Sequence, residues 1–207
     1  TINAYYDPTT NEICFPAGIL QAPFFDPAAD DAANYGAIGV VIGHEMTHGF
    51  DDQGSQFDKD GNLRNWWTPQ DKANFKARTQ RMIRFFDGIE VLPGLHCNGA
   101  LTCGENIADH GGLKVAYQAF RNATSSRPLA DFGGFTPDQR FFISYGQIWA
   151  NNIRPEALRN QVKTDPHAPA RWRVNGALPQ IEAWYKAFGI KKGDKLFVPK
   201  NKRVDIW

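Results

Sequence analysis

Cysteine is scarce in this sequence, with three residues among 207. That number is too small for the disulfide framework that stabilises many small secreted domains. Long apolar runs are missing as well, because the longest one, residues 37–42, is far too short to cross a bilayer. The first residues show no signal-peptide pattern. These absences argue against a disulfide scaffold and give no reason to expect membrane contact from these residues.

A strong charge of either sign is also missing, since the formal net charge is +1. This balance gives no electrostatic reason to expect nucleic acid or an anionic membrane as a partner. The one basic concentration, within residues 191–203, is explained by a solvated surface. Hydrophobic residues make up 42% and charged residues 22%, as in ordinary globular proteins. The chain is therefore long enough and apolar enough for one well-buried domain.

Cys97 and Cys103 flank a five-residue segment that a disulfide closes if the compartment is oxidising. His96 stands beside them and leaves a second metal site open as an alternative. The Cys-x₂-Cys spacing of structural zinc sites is absent, which disfavours that alternative. The sequence does not decide between a disulfide and free thiols.

Hydrophobic periodicity and capping residues predict short strands near the N-terminus and helices over most of the remainder. The Asp-Pro pair at positions 7 and 8 favours a turn between the two strands. Thr68 and Thr136, each followed by proline, are typical helix starts. Strands that come early and helices that come late indicate the α+β class. The strands are predicted at residues 1–6 and 12–16, and the helices at residues 32–49, 69–86, 104–122, 138–151, 154–162 and 178–188.

The segment 43–48 reads Gly-His-Glu-Met-Thr-His and contains the pattern His-Glu-x-x-His on a predicted helix. Residues four apart share one helical face, so the imidazoles of His44 and His48 can converge on one cation. Glu45 is offset around the helix and reaches a metal-bound water as a general base without being a ligand. Burying two imidazoles and a carboxylate together without a metal would be costly. The pattern predicts a catalytic zinc site.

A catalytic zinc site uses three protein ligands, so a third one is expected downstream. Glu90, Glu156 and Glu182 are candidates, but Glu105 stands out because Asp109 follows it at i+4. That spacing places two carboxylates on one helical face, one to bind the metal and one to accept the ring N–H of a ligand histidine. The neighbouring glycines at 111 and 112 indicate close packing. We therefore expect one Zn²⁺ held by His44, His48 and Glu105.

The sequence resembles the catalytic domain of the neprilysin and endothelin-converting-enzyme family of zinc metallopeptidases. The resemblance covers essentially the whole chain and implies a mainly helical zincin (thermolysin-like) fold with a short N-terminal strand region. Family members are much longer, so the resemblance implies that residues 1–207 are one catalytic domain, the C-terminal fragment of a longer enzyme. The matching stretches are residues 3–6, 15–20, 43–52, 104–109, 149, 154–156 and 163–165 with His167.

The resemblance also implies roles for residues whose position alone says little. Asp109 matches the residue that orients His44, and His167 matches the imidazole that hydrogen-bonds the developing oxyanion. Arg173 matches a clamp on a substrate carbonyl. Asn3 and Ala4 match an edge strand that pairs with the substrate backbone. An apolar pocket for the side chain just after the scissile bond is implied at Phe24, Val41, Ile148 and Trp149.

Two departures from the family pattern stand out. His110 occupies a position where the family usually has asparagine, which predicts a packing change beside Asp109. The last residues, 203–207, lack the Cys-x-x-Trp ending of the animal enzymes. The missing cysteine removes a disulfide to the upstream region and favours a bacterial enzyme.

These observations together predict a zinc-dependent endopeptidase that hydrolyses oligopeptides and prefers a hydrophobic residue after the scissile bond. Its expected partners are peptide substrates and the N-terminal part of the same enzyme, and its expected location is secreted or periplasmic. One alternative is an inactive metal-binding module, against which Glu45, His167 and Arg173 argue. Another is a different zinc hydrolase, such as a deformylase or aminopeptidase, which would not need the Asn3-Ala4 element.

Overall fold

A computed structural model of the chain describes residues 1–206, so Trp207 of the tail lies outside the described residues. The N-terminal region forms an antiparallel hairpin of β1 (Tyr5–Asp7) and β2 (Glu12–Cys14). Its turn is stabilised by Asp7, whose carboxylate accepts the backbone N–H of Thr9 at 2.8 Å. Both strands are shorter than predicted. A second hairpin, β3 (Glu90–Leu92) with β4 (Leu95–His96), was not predicted.

The predicted helix at residues 32–49 is a continuous helical segment made of three parts. It begins with α1 (Asp31–Asn34), widens into a π-helical turn (Tyr35–Gly39) and continues as α2 (Val40–His48). The side chain of Asp30 caps the start by accepting the backbone N–H of Ala33 at 2.9 Å. The π-helical turn was not predicted. It lies against α5 (Pro137–Ile148), where Gly36 leaves no room for a Cβ beside the carbonyl of Phe141.

The remaining helices begin largely where the caps predict. Thr68 accepts the N–H of Asp71, and Thr136 forms a capping box with Gln139. Helix α7 was not predicted as a separate element. The predicted helix at residues 178–188 is divided into a 3₁₀ turn (Leu178–Gln180) and α8. The helices are α3 (Pro69–Asp87), α4 (Cys103–Ala123), α5 (Pro137–Ile148), α6 (Pro155–Thr164), α7 (Ala170–Ala177) and α8 (Glu182–Phe188).

Helices α2 and α4 approach each other closely because glycines face each other at their contact. A Cβ on Gly43 would lie 2.9 Å from Gly112 Cα, and one on Gly112 would lie 2.7 Å from the backbone nitrogen of His44. Real Cβ atoms do not approach that near, so only glycine fits. The close packing predicted from the glycines at 111 and 112 is confirmed. It brings the histidine face of α2 against the carboxylate face of α4.

The apolar core has two main parts on either side of α4. One joins α4 and α5 through Phe120, Phe141 and Tyr145, all fully buried. The other joins α3 and α4 to the C-terminal tail, in which Val204 and Ile206 are buried. None of the helices in residues 1–206 combines the length and the apolarity of a membrane span. The mainly helical architecture with short strands confirms the predicted fold class.

Candidate metal centre and active-site cleft

The two histidines of α2 are held in a fixed orientation by carboxylates behind them. His44 Nδ1 donates to Asp109 Oδ1 at 2.8 Å, and His48 Nδ1 donates to Asp51 Oδ2 at 2.7 Å. With Nδ1 as the donor, each ring directs Nε2 toward the other ring. The two Nε2 atoms lie 3.0 Å apart. Two lone pairs at that distance repel each other unless a proton or a metal cation lies between them.

Glu105 completes this cluster from α4. Its Oε2 lies 3.2 Å from His44 Nε2 and its Oε1 lies 3.7 Å from His48 Nε2. Its Oε2 is buried and accepts no hydrogen bond in the described residues. Tetrahedral zinc sites with metal–ligand distances of about 2.0–2.1 Å hold neighbouring ligand atoms about 3.3 Å apart. Two imidazoles and a carboxylate at these separations fit a zinc ion.

The electrostatic environment of the cluster also favours a cation. Burial alone would lower the pKa of His44, but the neighbouring carboxylates of Asp109 and Glu105 outweigh burial and raise the pKa to about 9. Burial opposes the charged form of Glu105 too, yet the two histidines and Arg173 lower its pKa to about 2. The same carboxylates that draw a proton to the imidazole would draw a divalent metal ion.

Glu45 lies on the same helix as His44 and His48, beside the cluster that these histidines form with Glu105. Ligand atoms of His44, Glu45 and His48 lie within 4.8 Å of one another, so distance alone permits Glu45 as a ligand. Glu105 lies near both imidazoles from across the helix pair, which favours it over Glu45 as the third ligand. Burial raises the pKa of the Glu45 carboxyl, which strengthens it as a proton acceptor.

Asp109 is fixed from its other side by Arg173 of α7. Arg173 Nε donates to Asp109 Oδ2 at 2.7 Å and Nη2 donates to Oδ1 at 2.6 Å, a bidentate pair. Arg173 is 7% exposed, and its guanidinium carbon lies 3.9 Å from the ring centre of Trp149. Burial alone would raise the pKa of Asp109, but Arg173 and His44 lower it well below its usual range. In this geometry Arg173 contacts the carboxylate that orients His44.

His167 lies on the segment between α6 and α7 and faces the same cluster. Its Nε2 is 3.3 Å from Glu105 Oε1. Its Nδ1 donates to Asp165 Oδ1 at 2.7 Å, and its backbone N–H donates to the same oxygen at 2.9 Å. Asp165 therefore fixes both the ring and the backbone, so that Nε2 points toward the metal cluster.

A cleft of about 770 Å³ opens over this cluster. Asn3 and Ala4 lie in it directly before β1. Val41 lies in the first turn of α2, and Phe24 and Val41 pack against the buried side chains of Ala4 and Ile19. The cleft is lined by every residue that the sequence predicted for the site, namely Asn3, Ala4, Phe24, Val41, His44, Glu45, His48, Glu105, Asp109, Ile148, Trp149, His167 and Arg173.

Sequence reasoning missed two carboxylates that hold the histidines. Asp51 follows His48 at i+3, where the chain leaves α2, and its Oδ1 also accepts the backbone N–H groups of Gln53 and Gly54 at 2.8 and 2.7 Å. Asp165 precedes His167 by two residues. In both pairs, an aspartate within three residues of a candidate histidine was a usable signal in the sequence.

Cys97 and Cys103 are both buried free thiols in the structure. Burial raises the pKa of Cys97 to about 11 and that of Cys103 to about 12. His96 donates from Nδ1 to the backbone oxygen of Asp87 at 3.1 Å. The two thiols pack in the core between α3, α4 and the tail.

The helical fold and the His-Glu-x-x-His centre are typical of zinc metallopeptidases. The chain belongs to Peptidase family M13, whose family model matches residues 3–204. This match confirms the family resemblance found in the sequence.

Relatives in this family match the entire chain. The chain is 44% identical over 209 residues to Endothelin-converting enzyme 1 of Rattus norvegicus and 41% identical over 211 residues to Neprilysin of Homo sapiens. It covers 27% and 28% of those proteins. The crystal structure of the zinc metalloprotease ZMP1 of Mycobacterium tuberculosis, with an inhibitor, matches with 46% identity and a TM-score of 0.97. The match covers all of this chain and 32% of the ZMP1 chain. It agrees with the expected bacterial origin.

Proposed function

We propose that this chain carries the catalytic centre of a zinc-dependent endopeptidase that hydrolyses oligopeptides. The observation that supports this most directly is the convergence of His44, His48 and Glu105 beside Glu45 in one cleft. Mere metal storage would need neither Glu45 nor an imidazole held at the rim. The membership of the chain in a peptidase family supports the same reaction class.

In the proposed mechanism His44, His48 and Glu105 would hold one zinc ion, which when bound would supply Lewis-acid polarisation of the scissile carbonyl and lower the pKa of a water molecule. Glu45 takes the proton from the attacking water and later delivers it to the leaving amine. His167 donates from Nε2 to the oxyanion that develops on the carbonyl oxygen. The hydrogen bond from Nδ1 to Asp165 holds the ring so that Nε2 faces this oxygen.

Two further residues prepare the site. Asp109 fixes the ring of His44, and Arg173 fixes Asp109 through its bidentate contact. Because a charged pair buried at this depth is rigid, the position of His44 is set before substrate arrives. We propose that Arg173 also contacts a substrate carbonyl from its place at the cleft wall.

The cleft suggests how a peptide binds. We propose that Asn3 and Ala4 pair with the substrate backbone by adding it as a strand. The side chain after the scissile bond then enters the apolar part of the cleft. This part is lined by Phe24, Val41, Ile148 and Trp149. A hydrophobic residue at that substrate position is the expected preference.

We propose that residues 1–207 form one catalytic domain that works with the remainder of a longer, secreted or periplasmic enzyme. The chain spans only 27% to 32% of the relatives described above. Large apolar side chains are exposed near the cleft and on the outer face of α2, among them Ile2, Tyr5, Met46 and Phe50. Gel filtration tests this association: a well-behaved monomer of the isolated chain that digests casein as readily as short peptides would contradict it.

An assay with paired substrates tests the proposed reaction. The protein is incubated with an oligopeptide blocked at its N-terminus and with the same peptide carrying a free amine. We expect both to be cut internally before a hydrophobic residue, and we expect a chelator to stop the cleavage and added Zn²⁺ to restore it. Cleavage that requires the free amine would instead indicate an aminopeptidase.

A further inference from the structure

A second groove adjoins the active-site cleft and takes no part in the proposed chemistry. It encloses about 450 Å³ between the segment after α2 and one face of α3, and Asp52 lines both the groove and the cleft. Four of its residues, at positions 72, 75, 76 and 79, recur at helical spacing along α3. We call this feature the basic groove. Its lining includes Arg64, Trp67, Lys72, Phe75, Lys76 and Thr79.

The charge of the basic groove is unbalanced. Arg64, Lys72 and Lys76 are exposed cations, and none forms an ion pair with a carboxylate in residues 1–206. Asp52 is the single acidic residue of the lining. The groove therefore presents an excess of positive charge, which complements an acidic ligand.

A buried hydroxyl in the lining also lacks a partner. Thr79 is 8% exposed, yet its Oγ1 has no hydrogen-bond partner in the described residues. That oxygen has almost no accessible surface, so a ligand in the groove does not reach it. The exposed ammonium groups of Lys72 and Lys76 are the donors that a ligand carboxylate would meet.

The groove lies beyond one end of the metal-binding helix. Val41, which belongs to the proposed apolar pocket, lies in the first turn of α2. Asp52, which lines the groove, comes four residues after His48, the last residue of α2. A peptide whose residue after the scissile bond occupies the apolar pocket therefore extends its N-terminal part toward the groove.

We propose that the basic groove is an extended substrate subsite that binds acidic side chains on the N-terminal side of the scissile bond. This inference rests on the proposed function for the direction of the peptide. The lysines and Arg64 pair with the acidic side chain. The half-buried rings of Trp67 and Phe75 contact the apolar part of the same segment.

Peptide pairs that differ only by glutamate or glutamine test this subsite. The substituted position is moved upstream from the scissile bond one residue at a time. We expect a higher kcat/KM for the glutamate peptide at one or two positions, by about two- to fivefold for each exposed ion pair. The preference should decline as salt is raised, since surface charges are screened.

Two double variants with the same change in charge provide the comparison. Lys72→Gln with Lys76→Gln should lower the glutamate-to-glutamine ratio toward one, with Arg64 responsible for the preference that remains. Lys191→Gln with Lys192→Gln changes exposed lysines that line neither cavity, and it should preserve the wild-type ratio. A ratio of one in the wild type at every position, or a preference in the first variant as large as in the wild type, would overturn the proposal.

A binding measurement separates failure of the subsite from failure of the proposed reaction. Tryptophan fluorescence, to which Trp66 and Trp67 contribute, follows an uncleaved acidic peptide binding to the Glu45→Gln protein. Weaker binding in the Lys72→Gln, Lys76→Gln background supports the subsite even if no peptide is hydrolysed. Equal binding of acidic and neutral peptides counts against the subsite, whatever the enzyme cleaves.

Discussion

Asp51 holds His48 in the same way that Asp109 holds His44. In Asp51→Asn, the side-chain oxygen can still accept the N–H groups of Gln53 and Gly54, but an NH₂ group then faces His48 Nδ1. Two N–H donors then face each other, which disfavours the orientation of the His48 ring that directs Nε2 toward the proposed metal position. We expect zinc affinity, measured by competition with a chelator, to fall about 10- to 100-fold. The control is Asp60→Asn, an exposed aspartate paired with Lys59, and equal affinity in both variants would contradict this role.

His110 is a buried imidazole that destabilises the protein in acid. Burial lowers its pKa from 6.5 to about 4, with Lys114 adding to the effect and Asp205 opposing it. Between pH 6.5 and pH 4, His110 is protonated in the unfolded chain but stays neutral in the folded chain. Stability is therefore lost as the pH falls from 6.5 to 4, by about 3 kcal/mol for this group.

The variant His110→Asn should remove this part of the pH dependence. Its free energy of unfolding, from denaturant titrations, should fall less steeply than that of the wild type between pH 6.5 and pH 4. His96→Asn is the control, since that ring is exposed. Parallel curves for the wild type and His110→Asn would show that the buried imidazole does not carry the effect.

At the scale of elements, the contact between α2 and α4 sets the geometry of the metal centre. In Gly112→Ala the new methyl group would lie 2.7 Å from the backbone nitrogen of His44, so the helices must separate. We expect a loss of about 1–3 kcal/mol in stability and weaker zinc binding. The control is Gly146→Ala in α5, where the nearest atom is Val174 Cγ1 at 3.9 Å. That variant should be stabilised by about 0.5–1 kcal/mol, and a similar loss in both would contradict the packing argument.

Local signals in the sequence predicted the elements that depend on local chemistry. The helices after Thr68 and Thr136 begin at threonine caps followed by proline, which act within one turn. The π-helical turn depends on the fit of Gly36 against the carbonyl of Phe141, more than one hundred residues away. The second hairpin consists of strands of three and two residues, too short to show an alternating pattern. Such features depend on tertiary contacts that no local window contains.

The residues of the candidate site also separate into those that local spacing predicts and those that depend on tertiary contacts. Spacing predicted that His44 and His48 share a face, and Glu105 and Asp109 another, because both pairs lie at i and i+4. That the two faces meet depends on glycines at the α2–α4 contact, which the sequence only suggested. The positions of Asn3, His167 and Arg173 were implied by the family resemblance alone. Periodicity cannot bring a loop residue such as His167 within 3.3 Å of Glu105.

At the scale of the whole molecule, segments from the N-terminal hairpin to α7 meet at one cleft. We propose that this cleft combines a zinc site with a separate proton acceptor, Glu45. In Glu45→Gln the amide cannot take a proton from water, while the proposed ligands His44, His48 and Glu105 remain.

The most direct test measures zinc content and peptide hydrolysis in the same preparation of Glu45→Gln. We predict one zinc ion per chain, as in the wild type, together with a loss of turnover on the order of 10²–10⁴. Loss of the metal would make Glu45 a ligand and contradict the assignment of Glu105. Hydrolysis at the wild-type rate with zinc bound would contradict the proposed role of Glu45 itself.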